Sequence, residues 1–346
     1  MLRKCLNGVK PNMLLSASAF LVGLLTLLLV WGIFPSRLQT SPSPHLAHRV
    51  IIIGGGTAPN ESSCIFYLDI ARVYETLLHD LQIPAQGITV LYADGAVPNL
   101  YGPDDPCFEG NDLYENVPHN EAGKQWQACQ DAVAQLQMHP PIRSDTRKTT
   151  IMATVRHLLL NAPEYSQVWI FRSGHGEILI DSSGVHSSMQ VMDNASISDN
   201  EWGEILRTPT RASQIILFLN QCQASGFLNL PATNPRLVVY TACGAHGPDY
   251  AYLLYNQGPE WTWSKAWRDG FSRTTDRTKS TFVADANQDR RVDLNELYQF
   301  ILNHDAAAHE GILPRHDGFD EERIYSKPGF AWGGEIDPAY TPLIEE

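Results

Sequence analysis

A histidine and a cysteine that could act together follow two apolar segments of the sequence. One segment ends in Ser173-Gly174-His175-Gly176, and the other ends in Asn220-Gln221-Cys222. A thiolate is a good nucleophile, and a neighbouring imidazole can accept its proton or stabilise it as an ion pair. If the segments are strands of one parallel sheet, their carboxyl ends emerge at the same edge, and His175 can meet Cys222 across 47 positions of sequence. The pattern favours nucleophilic catalysis by a cysteine.

The residues around this pair agree with such a role. Gly174 and Gly176 free the backbone for an unusual turn and for close approach of a substrate, and they let a backbone N–H point at an oxyanion. The small residues 224–226 leave the thiol accessible. Each residue alone has a plainer interpretation, because most cysteines after apolar strands are small buried residues. Together, at the ends of consecutive strands, the histidine and the cysteine predict a dyad.

The elements that must position this pair alternate along the chain. Strands are predicted at Arg49–Ile53, Ile88–Tyr92, Gln167–Arg172, Gln214–Asn220 and Arg236–Thr241. Helices are predicted at Cys64–Leu81, near 121–137 and at 148–160, where apolar residues recur with helical spacing. Alternating strands and helices indicate an α/β fold with a mostly parallel sheet flanked by helices on both faces.

The two motifs resemble those of the caspase–haemoglobinase group of cysteine peptidases, which includes legumains, caspases and metacaspases. The matching residues are Ser173-Gly174-His175-Gly176 and, about fifty residues on, Gln221-Cys222-Gln223-Ala224-Ser225-Gly226. The strand segment Leu237–Ala242 is similar to the segment beside the specificity pocket of this group. Because Gly226 follows Cys222 by four positions, the chain is closer to legumain-like and bacterial relatives than to caspases with aspartate preference.

This resemblance implies a caspase-like three-layer sandwich and a role for each motif. Cys222 would attack a peptide carbonyl, His175 would protonate the leaving amine, and the N–H groups of Gly176 and Cys222 would hold the oxyanion. Candidate residues of the specificity pocket are Asp94, Asp249 and Tyr250. An acidic pocket would favour a basic residue before the scissile bond, although isolated aspartates are equally well explained as solvated surface residues.

A twelve-residue segment near the C-terminus fits the EF-hand calcium loop. Oxygen-bearing side chains occupy its positions 1, 3, 5, 9 and 12, the residue at position 7 offers its carbonyl, and the six predicted ligands are Asp285, Asn287, Asp289, Arg291, Asp293 and Glu296. Arg290 stands where glycine normally takes a positive φ, which costs on the order of 1 kcal/mol. Residues 294–303 are predicted to form the exiting helix. The segment predicts structural Ca²⁺, with a solvated acidic turn as the alternative, and no organic cofactor is predicted.

The N-terminus predicts a membrane anchor. Residues 13–34 carry no charge over 22 positions, enough for a helix of roughly 33 Å. The basic residues lie mostly before this segment, so residues 1–12 are expected to be cytoplasmic, 35–48 a linker, and 49–346 a periplasmic, extracellular or lumenal catalytic domain. A long cleaved signal peptide is the alternative. Five cysteines follow the anchor, and Cys107 with Cys129 is the candidate disulfide of this exported domain.

Charge and missing motifs exclude several other classes. The chain carries 25 basic and 38 acidic residues, and four of the basic ones lie within the first 48 positions, so the rest has a formal charge of −17. Such acidity argues against nucleic acid as a partner. Gly54-Gly55-Gly56 lacks the spacing of a dinucleotide fingerprint and is explained by a tight turn after a strand. No Gly-x-Ser-x-Gly or His-Glu-x-x-His occurs, which disfavours a serine or zinc hydrolase.

The sequence therefore predicts a membrane-anchored, extracytoplasmic cysteine endopeptidase that acts on peptide or protein substrates through a thioester. Two alternatives remain open at this point. One is a catalytically silent member that binds peptides or partners, and the other is a transamidase or ligase in which an amine replaces water.

Overall fold

A computed structural model describes residues 47–57, 64–96, 128–182, 184–243, 262–273, 281–305 and 328–345. The chain divides into two units, Met1–Leu46 and Ala47–Glu346, and all described residues belong to the second unit. The predicted anchor at 13–34 and the linker up to residue 46 lie outside the described residues. Among the residues described, no helix is long and apolar enough to cross a membrane.

The centre of the fold is a seven-stranded, mostly parallel sheet. Its strands are β1 (His48–Gly55), β2 (Ile88–Tyr92), β3 (Ile142–Ser144), β4 (Gln167–Gly174), β8 (Gln214–Asn220), β9 (Leu237–Thr241) and β11 (Gly329–Trp332). They lie in the order β11-β9-β8-β4-β1-β2-β3. The edge strand β11 pairs antiparallel with β9, and the other neighbouring pairs are parallel. The predicted parallel sheet is thus confirmed, with an antiparallel edge added.

Alternating side chains of the central strands bury two separate cores, one on each face of the sheet. The first core contains Val50, Ile52, Trp169 and Phe218 and packs against α1 (Cys64–His79), α4 (Thr262–Gly270) and α5 (Leu294–His304). The second contains Ile51, Ile53, Ile170 and Leu217 and packs against α2 (Lys148–Leu160) and α3 (Asp199–Leu206). Because successive side chains of a strand point to opposite faces, continuous apolar strands require helices on both sides. The structure therefore has three layers.

A second, three-stranded sheet, the hairpin sheet, follows β4 directly and was not predicted. It consists of β5 (Gly176–Asp181), β6 (Gly184–Val191) and β7 (Ala195–Ser198), paired antiparallel in the order β5-β6-β7. The helix α3 begins after it with a capping box, in which Ser198 Oγ accepts from the N–H of Glu201 and Glu201 Oε2 accepts from the N–H of Ser198. This Ser-x-x-Glu pattern was the one signal in the sequence that could have located the end of the hairpin sheet.

The disulfide differs from the one expected. Cys129 pairs with Cys64, which lies 65 positions away with a Cα–Cα distance of 6.2 Å, so the predicted bond between Cys107 and Cys129 is wrong. Cys64 is the first residue of α1, and Cys129 is a buried residue in the helical stretch 128–134 that packs on the same core. The bond joins two elements that are adjacent in space, a relation that spacing in the sequence does not contain. Cys107 lies outside the described residues.

Candidate active site

The predicted dyad residues follow two neighbouring parallel strands at the same edge of the central sheet. The register of β4 and β8 ends with Ser173 opposite Asn220, and His175 and Cys222 each lie two residues beyond that pair. Both side chains are partly exposed, and Cys222 is not part of a disulfide. The carboxyl ends of parallel strands are where α/β folds build their sites. The topology therefore brings together the two segments that sequence spacing separates.

Close packing joins the two segments beyond the strands. A Cβ atom on Gly176 would overlap the carbonyl oxygen of Cys222, and a Cβ atom on Gly174 would overlap the guanidinium of Arg172. Neither glycine has a positive φ, so the expectation of an unusual turn at these positions is wrong. Both positions require glycine because neighbouring groups leave no room for a side chain. At Gly176 that neighbour is the backbone of the predicted nucleophile.

Two different elements contact His175: α1 contacts its ring, and β6 contacts its carbonyl. Its imidazole packs edge-on against the ring of Phe66 from α1, with centroids 4.9 Å apart and an interplanar angle of 89°. Its carbonyl accepts a hydrogen bond of 3.1 Å from the N–H of Gln190 on β6. The hairpin sheet therefore fixes the backbone at His175 while α1 packs against its ring.

The backbone before Cys222 is held by two further contacts. The Gln221 side chain is buried and its Nε2 donates to the carbonyl of Ser188 at 3.0 Å. The carbonyl of Gln221 accepts from the thiol of Cys243 at 3.1 Å. Gln223, on the other side of Cys222, adopts a positive φ of 55°, a conformation that few non-glycine residues adopt. Strained backbone of this kind is common where a loop is held in a functional geometry.

A buried carboxylate supports the end of β8 from α1. Asp69 Oδ2 accepts from the side-chain amide of Asn220 at 3.1 Å, and Asp69 Oδ1 accepts from the hydroxyl of Ser264 on α4. Burial raises the pKa of Asp69, while the hydrogen bonds from Ser264 and Asn220 lower it. Sequence analysis missed Asp69, because an aspartate within a helical pattern indicates a solvated face. Here it ties two helices to the residue that stands two positions before Cys222.

The loop after Cys222 contacts the hairpin sheet. The N–H of Gly226 donates to Ser187 Oγ at 2.7 Å, and a Cβ on Gly226 would lie 2.5 Å from Asp199 Oδ2. Asp199 also contacts His186, with Oδ1 3.0 Å from Nδ1. Gly226 therefore has a structural reason to be small in addition to the predicted accessibility of the thiol. These contacts secure the cysteine loop against β6 and α3.

The predicted specificity residues are described only in part. Asp94 is exposed in the turn after β2, where its Oδ1 accepts from the N–H of Ala96 at 3.1 Å. β2 is separated from β4 by β1 alone, so Asp94 lies at the same sheet edge as the dyad. Asp249 and Tyr250 lie outside the described residues. The pocket and the oxyanion donors, the N–H groups of Gly176 and Cys222, stay predictions.

Gly54 and Gly55 are the last two residues of β1, and Gly56 follows the strand, so the predicted tight turn is replaced by the end of the strand. Gly55 has a φ of 115°, and a Cβ on Gly54 would lie 2.7 Å from the Ile70 side chain of α1. A left-handed residue and a tight strand-to-helix contact both require glycine. These two glycines are thus explained without a bound nucleotide.

The segment 285–296 has the local conformation of the predicted calcium loop. Arg290, at the position usually occupied by glycine, adopts a φ of 70°. Residues Arg291–Asp293 form the short strand β10, which pairs antiparallel with β12 (Pro342–Glu345), and α5 begins at Leu294. The exiting helix predicted for 294–303 is confirmed. The described residues before the loop, 281–284, form a turn with one isolated bridge at Phe282.

The predicted ligands of this loop receive hydrogen bonds from the loop backbone. Asp285 accepts from the N–H groups of Asp289 and Arg290, and Glu296 accepts from those of Ala286, Asn287 and Asp293. The donor set is one that Ca²⁺ prefers, since carboxylate, amide and carbonyl oxygens suit this cation. Within the described ranges, no three His, Cys, Asp or Glu side chains form a group that could hold a metal ion. Calcium therefore stays a prediction here.

Comparison with known proteins gives distant structural similarity only. No protein-family model and no curated protein matches the sequence. A solved protein of Geobacter sulfurreducens is similar over 86% of this chain and 97% of its own, with 9% identity and a TM-score of 0.47. Caspase-1 of Spodoptera frugiperda is similar over 83% of this chain and 87% of its own, with 11% identity and a TM-score of 0.42. At these values, neither structure transfers an activity to this chain.

Proposed function

We propose that this protein is a cysteine-type endopeptidase with His175 and Cys222 as its dyad. The observation that carries the proposal is the register of β4 and β8, which puts both residues two positions beyond the pair Ser173–Asn220. The contact between Gly176 and the Cys222 backbone supports it, because it leaves no room for a side chain between the two segments. The motif resemblance to the caspase–haemoglobinase group, legumain-like members above all, supplies the reaction type.

In the proposed reaction, the Cys222 thiolate attacks the carbonyl carbon of a peptide bond, and the carbonyl oxygen becomes an oxyanion. The N–H groups of Gly176 and Cys222 are the proposed donors to this oxyanion. Collapse of the tetrahedral intermediate breaks the C–N bond, and the imidazolium of His175 gives its proton to the departing amine. His175 then takes a proton from water, whose oxygen attacks the thioester, and the acid product leaves with regeneration of the thiol.

The substrates proposed are peptides or proteins outside the cytoplasm. Residues 13–34 are long enough and apolar enough for a signal anchor, and the basic residues before them favour a cytoplasmic N-terminus. The Cys64–Cys129 disulfide is consistent with an oxidising compartment. Digestion of intact cells or spheroplasts with an added protease tests the orientation. Loss of the catalytic domain is expected, and full protection of it would contradict the proposed topology.

Peptide hydrolysis by matched variants tests the proposed chemistry. A peptide library varied at the residue before the scissile bond is incubated with wild type, Cys222→Ala, His175→Ala and His157→Ala. Cleavage by wild type and His157→Ala, with none by the other two variants, is expected. His157 is the matched control because it is an exposed histidine in the last turn of α2, away from the strand ends that carry the dyad.

The products distinguish the alternatives. Hydrolysis gives a new carboxyl terminus, whereas a transamidase gives an amide when an amine is added, because both reactions share the thioester. Binding of library peptides without turnover by wild type would contradict the peptidase proposal and favour a silent binder. Cleavage that persists in a folded Cys222→Ala variant would exclude Cys222 as the nucleophile.

A further inference from the structure

A buried arginine lies at the end of β4, three residues before the proposed catalytic histidine. Arg172 has 0% exposure. Its Nη1 donates to the carbonyl of Ser173 at 2.9 Å, and its Nη2 donates to the carbonyls of Gly55 and Gln190 at 2.8 and 2.6 Å. All three acceptors are backbone carbonyls, one each from β4, β1 and β6. Among the described residues, no carboxylate forms an ion pair with Arg172.

Burying a cation of this kind lowers the stability of the folded protein. Removing a charge from water costs several kcal/mol even after relaxation of the protein. Burial lowers the pKa of Arg172 to about 9, so the guanidinium still carries its charge at neutral pH. A charged group at this buried position therefore requires a reason beyond the pairing of strand ends.

The contacts of Arg172 converge on the backbone around His175. The guanidinium lies against Gly174, where no side chain would fit. Gln190, whose carbonyl accepts from Arg172, donates its own N–H to the carbonyl of His175. The Gln190 side chain donates in turn to Glu177 Oε2 at 2.9 Å. The residues before and after His175 are thus held by one connected set of bonds that begins at Arg172.

We infer that Arg172 is a positioning residue for the dyad, holding the backbone of His175 against the Cys222 loop. This inference rests on the proposed peptidase function. A guanidinium presents several donors in one rigid plane and here bonds carbonyls of three strands at once. This geometry explains why an arginine occupies the end of β4.

Arginine at another sheet edge offers a matched control. Arg236 is partly buried before β9, and its Nη1 donates to the carbonyls of Thr210 and Ala212. It therefore bonds carbonyl groups as Arg172 does, but at the amino ends of β8 and β9, opposite to the edge that carries the dyad. Replacing Arg236 removes a comparable set of bonds without touching the His175 segment.

The test measures the pH dependence of Cys222 alkylation by iodoacetamide in full-length protein, with each cysteine resolved by mass spectrometry. For Arg172→Met we expect the midpoint to rise by about one pH unit, because a displaced His175 stabilises the thiolate less, and the alkylation rate at neutral pH should fall about tenfold. Arg236→Met should match wild type in both midpoint and rate. A folded Arg172→Met variant with the wild-type profile would overturn the inference.

A second measurement covers the case in which Arg172→Met does not fold. An ammonium group offers no planar fork and cannot bridge the three carbonyls as a guanidinium does. Arg172→Lys is therefore expected to lower kcat for peptide hydrolysis about tenfold or more with KM nearly unchanged, because a displaced catalytic group lowers kcat. Arg236→Lys should change neither constant. Equal kcat values for wild type and Arg172→Lys would contradict the positioning role.

These measurements separate the inference from the proposal on which it rests. If wild-type Cys222 reacts no faster than a simple thiol and no peptide is cleaved, the dyad itself is wrong and the inference falls with it. If wild-type Cys222 is reactive and the Arg172 variants behave like the Arg236 variants, the dyad stands and only the role of Arg172 is refuted.

Discussion

The dyad region and the segment 285–296 are built in opposite ways. At the dyad, residues from α1, β4, β6 and β8 meet through contacts that span as many as 195 positions, as between Asp69 and Ser264. In the predicted calcium loop, backbone N–H groups bond carboxylates at most ten positions away, as from Ala286 to Glu296. The first region depends on the whole fold, whereas the carboxylates of the second are held by local bonds, although β10 pairs with the distant strand β12.

Because of this difference, mutations in the two regions should have different effects on reactivity and on stability. Long-range contacts form only when the sheet and its helices are in place, so a single misfit at the strand ends should affect reactivity more than stability. In the loop, two carboxylates, Asp285 and Glu296, are buried, so a change there should affect stability more than reactivity. Burial and nearby carboxylates raise the pKa values of Asp293 and Glu296, so the predicted cation would act mainly on stability.

The largest effect on the non-local region is expected from removing the Cys64–Cys129 disulfide. The bond closes a loop of 65 residues, and loops of this size lose about 4 kcal/mol of stability when the crosslink is removed. The variant Cys64→Ala/Cys129→Ala should show this loss in denaturant unfolding, and also slower Cys222 alkylation, because α1 carries the Phe66 ring that contacts His175.

Cys107→Ala is the control for this prediction. Because Cys129 pairs with Cys64, the free energy of unfolding of Cys107→Ala should equal that of wild type. An equal loss in Cys107→Ala would restore the pairing predicted from the sequence. Unchanged Cys222 reactivity in the double variant would contradict the proposed dependence of the dyad on α1.

A methyl group at Gly176 should affect the dyad more than the rest of the protein. Its Cβ would overlap the Cys222 carbonyl oxygen, so the two strand-end segments must move apart. Displacements of about 1 Å at a catalytic group lower rates about a hundredfold. We expect Gly176→Ala to lower kcat/KM by that factor, measured on the best peptide of the library.

Gly334→Ala is the matched control, because nothing lies within 4 Å of the position of its added Cβ. It should retain wild-type activity. Full activity in Gly176→Ala would show that the contact between the segments does not matter for the chemistry.

Much of the positioning framework followed from the sequence. The apolar strands predicted at 88–92 and 214–220 have the same limits in the structure, and their continuous burial is what hydrophobic residues on both faces indicate. The helix that follows residue 293 was also predictable, because its apolar residues recur with helical spacing. In these cases the local pattern and the final environment agree.

The parts that were missed depend on contacts through space. The pairing of Cys129 with Cys64 requires α1 and the helical stretch 128–134 to be adjacent, and no spacing rule contains that information. Asp69 and Arg172 are charged residues within regular patterns, and their burial appears only once α1, β1 and β6 surround them. Their roles follow from tertiary contacts that single-sequence periodicity does not report.

Calcium binding offers a test of the local region. If the loop binds Ca²⁺, a concentration one hundred times the dissociation constant stabilises the native protein by about 2.7 kcal/mol. The free energy of unfolding should rise by this amount with calcium and fall on addition of a chelator. Asp285→Ala should abolish the response, because Asp285 is a predicted ligand and a backbone acceptor of the loop.

Glu164→Ala, which removes an exposed carboxylate outside the loop, should retain the full response to calcium. Alkylation of Cys222 well below the unfolding transition should be the same with calcium or chelator if the two regions are as separate as their contacts suggest. A free energy of unfolding independent of calcium would refute the metal prediction and leave a solvated acidic turn.

The smallest expected effect compares two adjacent arginines of the loop. Arg290 has a φ of 70°, whereas Arg291 lies in β10. The left-handed conformation costs a non-glycine residue about 1 kcal/mol, so Arg290→Gly should raise the free energy of unfolding by up to that amount. Arg291→Gly should lower it by about 0.5–1 kcal/mol, because glycine weakens a strand. Opposite signs in urea unfolding would show that the left-handed backbone at Arg290 costs stability while the strand residue beside it contributes, and equal signs would refute that assignment.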